Sequence, residues 1–205
     1  MRSIVVAFGA CVLSAAAYGQ VGLVAQARSV SGGISVPPAS GFGLYSASSP
    51  GSSNNAAQTS DLSVTGATFD LSAGASGAGS SALTNLSFTF EVFQSVQFTL
   101  SGTIQFNQGP MAGGGGGSVH LTGPGVDLLG PTFGIFTTLP YNFSGTLNPG
   151  VYTLTANANG TGITEMGHAR SGSGHTIGTL TLTPTPGAAA TLLLGATAGL
   201  SRRRR

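Results

Sequence analysis

The chain lacks lysine and tryptophan, carries one cysteine in 205 residues, and is only 6% charged. Ordinary globular chains are roughly a quarter charged. With so few titratable side chains, most enzyme chemistries have nothing to work with, and no enzymatic activity is expected. Without lysine the run Gly113–Gly117 cannot be a phosphate-binding P-loop, and it is read as a flexible turn. Glycine fills 34 positions, but with no Gly-X-Y period, which excludes a collagen helix. At 40% apolar, the chain is too hydrophobic for charge-driven disorder.

The few charges are unevenly placed. Arg2 and Arg202 to Arg205 lie at the ends, leaving Arg28 and Arg170 against five acids in the body. The basic isoelectric point therefore belongs to the termini, and nucleic-acid binding, which needs a basic patch on a folded surface, is not expected.

Residues 1–19 read as a secretory signal: Arg2, then an apolar run from Ile4 to Ala17, then small residues at Ala17 and Gly19. Signal peptidase would cut between Gly19 and Gln20. A second small-x-small site, Ala25-Gln26-Ala27, would place the cut before Arg28. Removal of 1–19 takes away Cys11, so the mature chain would hold no disulfide.

At the other end Thr183-Pro184-Thr185-Pro186-Gly187 leads into the apolar run Ala188–Leu200, then Ser201 and Arg202, Arg203, Arg204 and Arg205. As a helix this run would span about 20 Å, short of the roughly 30 Å core of a bilayer. Pro184 and Pro186 block backward extension. The arginines would stay cytoplasmic. This arrangement resembles the PEP-CTERM sorting signal, with Pro184, Pro186, Gly187 and Arg202–Arg205 as its matching residues. Thr185 stands where that family usually carries a glutamate. The resemblance covers residues 184–205. It implies an exported bacterial protein held transiently at the inner membrane and cleaved by exosortase, in the kind of species that makes extracellular polysaccharide, which is a further candidate partner.

Between the ends, helical periodicity is missing and alternation prevails. Leu86, Phe88, Phe90 and Val92 share one face; Val96, Phe98, Leu100, Ile104 and Phe106 continue the alternation on even positions. With Phe93-Gln94-Ser95 as a three-residue loop, Phe90 would pair with Phe98 in a hairpin; a corner into a second sheet is the alternative. Further strands are expected at Leu62/Val64, Phe69/Leu71, Ser118–Thr122, Thr132–Thr137, around Gly145, at Val151–Ala156 (closed by Asn159-Gly160), and at Ile177–Leu182. Residues 72–81 read as turn-rich. The expected fold is all-β: an antiparallel β-sandwich or jelly roll of about eight or nine short strands. A signal helix and a short C-terminal apolar helix would flank it. The domain plan is 1–19 signal, 20–60 Ser/Gly-rich segment (of which 31–60 reads as loop with two short strands), 61–183 sandwich and 184–205 sorting signal. Residues 86–156 also resemble, in pattern, small secreted sandwich domains.

Candidate sites are few. Glu165, His168 and His175 have a spacing able to supply three metal ligands, but they fall in a Gly/Ser-rich stretch, Thr161–Gly174, that reads as a polar loop. No metal or other cofactor is therefore expected. His120 and Asp127 form a second candidate pair. Asn85, Asn142 and Asn159 match glycosylation sequons by chance in a bacterial chain. The leading expectation is an exported envelope or matrix protein of structural or adhesive type. A secreted carbohydrate-binding module, using Tyr45, Tyr141, Tyr152 or phenylalanines, is the alternative.

Overall fold

The computed structural model describes residues 20–33, 38–39, 41–107, 113–132 and 134–185. The expected signal helix, the apolar C-terminal helix, and Gly19, Pro186, Gly187 and Arg202–Arg205 lie outside them. The described chain is all-β. Its strands are β1 Val21–Ser31, β2 Tyr45–Ser49, β3 Asn54–Ser63, β4 Gly66–Ser76, β5 Ser81–Val92 and β6 Val96–Asn107. They continue with β7 Gly115–Gly123, β8 Val126–Leu129, β9 Thr137–Leu147, β10 Gly150–Thr161, β11 Ile163–Glu165 and β12 His168–Pro184. The smaller sheet runs β1-β5-β10-β7-β8; the larger runs β2-β3-β4-β12-β6-β9, with β11 paired to β12. Neighbouring strands are antiparallel throughout.

The expectation of eight or nine short strands is corrected to twelve, several of them 11 or 12 residues long. Small residues extend strands beyond what apolar alternation marks. β4 continues through Ser72–Ser76, and β10 runs through Asn159-Gly160 instead of ending there. Of the expected strand Thr132–Thr137, Thr132 and residues 134–136 are not in a strand, and β9 begins at Thr137. Residues 20–60 supply β1, β2 and most of β3.

The strands flanking Phe93-Gln94-Ser95 take the corner, not the hairpin. β5 belongs to the smaller sheet and β6 to the larger. Phe90 pairs with Leu23 and Tyr152, while Phe98 pairs with Leu182 and Gly145. None of the three corner residues takes a positive φ, which the common three-residue hairpin needs at one position. The alternation still does its work: Phe88, Phe90, Val92, Val96, Leu100, Ile104 and Phe106 are all buried, in one core that both sheets share.

Two features fit the sheets together. On the inner face of the larger sheet, Phe69, Gly178, Gly102 and Tyr141 stand in one cross-strand row. The two rings lean over the two glycines, where any side chain would overlap them. At the far end of the core the sheets close on each other. A methyl group on Gly174 would overlap the carbonyl oxygen of Gly116, and one on Gly115 would overlap the backbone of Ser173. Thr176 Oγ1 donates to the Asn157 carbonyl across this seam at 2.7 Å. The reading of Gly113–Gly117 as a flexible turn is therefore corrected: Gly115–Gly117 begin β7, and glycine is there because two backbones nearly touch.

Candidate functional site

The ends of the described fold meet at one pole. Gln20, where the mature chain is expected to start, is buried. Its carbonyl accepts from Phe93 N–H at 2.8 Å. Its side-chain Nε2 donates to the Thr185 carbonyl and to Gln94 Oε1, both at 3.3 Å. Thr185 Oγ1 donates to the Ser95 carbonyl at 2.5 Å. Alternation in β12 ends at Pro184, which still pairs with Val96. The β5–β6 corner thus clasps both the entry to β1 and the exit from β12. Sequence reading named Gln20 and Pro184 for processing and sorting, but nothing local in either stretch signals that they adjoin.

Arg28 sits mid-strand in β1, 2% exposed. Its guanidinium donates to the carbonyls of Gly41 and Gly43 and, through Nε, to Gln26 Oε1 at 3.0 Å. It also lies over the Tyr45 ring, 5.1 Å from the centroid. Burial pulls its pKa below the ordinary arginine value. A planar fork that satisfies several carbonyls at once explains why arginine occupies this spot.

The Glu165, His168, His175 set does not assemble. Glu165 and His168 face each other across the β11–β12 hairpin, which replaces the expected loop. His175 lies further along β12, roughly 20 Å from His168 at strand rise. Its Nε2 instead meets Asp70 Oδ1 at 2.6 Å. Among the described residues no three His, Cys, Asp or Glu side chains gather as metal ligands. His120 and Asp127 do come together: Nε2 and Oδ1 are 2.5 Å apart, across the β7–β8 hairpin. Each sheet thus carries one partly exposed histidine–aspartate pair. The Asp70–His175 pair was not anticipated, because its members are far apart in sequence; alternation alone places both on outward positions.

Two of the candidate tyrosines are placed against sugar stacking. Tyr141 and Tyr152 are core residues, 5% and 0% exposed. Tyr141 Oη donates to the Ile177 carbonyl at 2.9 Å, and Tyr152 Oη to that of Asn148 at 2.9 Å. Burial raises both phenol pKa values above 10. The candidacy of Tyr141 as a sugar platform is withdrawn on this ground.

Among the described residues no helix is long and apolar enough to cross a membrane. No protein-family model matches the chain, and no curated protein matches it.

Proposed function

We propose that the chain is an exported cell-envelope or extracellular-matrix protein of structural or adhesive type. Its two sheets form a β-sandwich, of the class that includes jelly rolls, as the exported body. Signal peptidase releases the body after Gly19. The tail from Pro184 to Arg205 then holds it at the inner membrane until exosortase cleaves near Pro186. Its partners are those two enzymes, the membrane for a time, and extracellular polysaccharide.

The observation that carries this reading is the contact between Gln20 and Thr185. Both membrane-directed segments would leave the folded body at one pole, so a translocated body could hang from the bilayer by either without unfolding. Two further features support it. A cut before Arg28 would remove Val21–Ala27 from β1, whereas a cut after Gly19 leaves β1 whole. The outer face of the larger sheet is also built mainly from threonine, serine, asparagine and glutamine, a solvated and nearly uncharged surface.

Intact mass spectrometry of the protein from its native host tests the reading. The expected mass begins at Gln20 and ends near Pro186. A retained Arg205 would mean an uncleaved tail anchor instead, and a retained Met1 would remove export by this route.

A further inference from the structure

The outer face of the larger sheet holds a continuous polar track. In one cross-strand row stand Ser48, Ala57, Ser72, His175 and Gln105. The next row holds Thr59, Asp70 and Ile177. Ser48, Ala57 and Ser72 are small, so this row forms a trough beside the taller one. The trough is a depression of about 500 Å³ with His175 at one end. Ser72 and His175 also line a second depression of about 210 Å³. That one shares Asn55, Gly74 and Ser173 with a third, of about 500 Å³.

We infer that this track binds a neutral polysaccharide chain. The shape suits a polymer, because depressions that share walls form a path and not a pit. The chemistry suits hydroxyls. Ser72, Ser173 and Thr59 each donate and accept, Asn55 does both, and Asp70 accepts strongly. His175 holds the Asp70 carboxylate in place at 2.6 Å. Among the described residues no arginine or lysine lines the track, while Asp70 stands on it and Asp61 lies on the same face. A polyanionic glycan would therefore be repelled. An extended peptide needs unpaired main-chain groups; β3, β4, β12 and β6 have spent theirs on neighbours, and along this track only β2, at the sheet's edge, keeps any. Binding here is by hydrogen bonds, not by stacking on an aromatic ring. The inference rests on the proposed function for placing this face outside the cell.

The test is biolayer interferometry of the full chain on immobilised β-glucan, galactomannan and alginate, in a polyoxyethylene detergent that carries no sugar. Binding to at least one neutral glycan and weaker binding to alginate are expected. The double variant Asp70→Ala, His175→Ala should weaken binding about tenfold or more, the scale of one lost charge-assisted hydrogen bond. His120→Ala, on the other sheet, should leave it unchanged. If the double variant fails to fold by circular dichroism, Ser72→Tyr, which fills the trough, carries the same expectation. No binding to either neutral glycan, tighter binding to alginate, or undiminished binding by the variant that folds overturns the inference. So does sedimentation showing a dimer that Ser72→Tyr disrupts, which would make the face a contact between two copies. Processing is read separately by intact mass, so failure of the glycan site and failure of sorting remain distinct results.

Discussion

The side-chain amide of Gln20 donates to the main-chain carbonyl of Thr185 at 3.3 Å, tying the first described residue to the last. Its Oε1 is buried without a partner among the described residues. Cleavage after Gly19 would leave β1 whole and keep Gln20 in its clasp. The mature chain is therefore expected to start at Gln20, as N-terminal sequencing would read. A chain beginning at Arg28 lacks most of β1, leaves residues 87–92 of β5 without that neighbour, and should lose its cooperative melting transition. Gln20→Ala keeps the strand and removes the clasp, at an expected cost of about 1 kcal/mol in urea unfolding.

The seam between the sheets makes a sharper demand. Gly174→Ala would drive a methyl group into the Gly116 carbonyl. Because the obstacle is backbone in a paired strand, relief requires the sheets to part, and a loss above about 3 kcal/mol is expected. Ser101→Ala, on the exposed outer face, should stay within about 0.5 kcal/mol of the parent. Paired denaturation curves decide between a packed seam and a loose glycine segment; equal curves would mean the latter.

Much of this fold was legible because apolar alternation marks a strand wherever side chains fill a core. Leu86 to Val92 and Val96 to Phe106 announce themselves this way. The same code is silent where the core is backbone on backbone: Gly115–Gly117 and Gly172–Gly174 carry no apolar side chain, so they read as linkers. β1 was missed for a related reason. As an edge strand, many of its positions are exposed or half-buried, and it buries a bonded arginine where an apolar residue would be expected. Pairing was less legible than strand position, since Phe90 and Phe98 alternate equally well in a hairpin or a corner. Only the missing glycine in Phe93-Gln94-Ser95 spoke for the corner. The Asp70–His175 pair and the Gln20–Thr185 clasp depend on which strands become neighbours, which alternation does not encode.

The β11–β12 hairpin turns on Met166 and Gly167, with φ of 49° and 80°. A two-residue turn of this sign favours asparagine followed by glycine. Methionine has no side-chain group to compensate the left-handed conformation, and this one is 86% exposed, so packing does not compensate it either. Met166→Asn is expected to stabilise the protein by about 0.5–1 kcal/mol, which for a chain of this size raises Tm by a few degrees. Calorimetry checks this. An unchanged or lower Tm would mean that the hairpin is not formed in solution as drawn.

Alkaline pH should expose the buried tyrosines. In the unfolded chain their phenols ionise near pH 10, but burial holds Tyr141 and Tyr152 protonated to higher pH in the fold. Above about pH 10 the unfolded state therefore binds fewer protons than the folded state, and stability falls as pH rises. The stabilising contribution is whole below that pH and is lost toward the raised folded values. Tyr141→Phe removes one of the two groups along with its hydrogen bond to Ile177. At pH 7 the variant should be less stable by about 1 kcal/mol. Between pH 10 and 11 its stability should fall less steeply than the parent's, so the two urea midpoints converge. A constant gap across that range would show that Tyr141 titrates alike in both states, and that its hydroxyl is open to water.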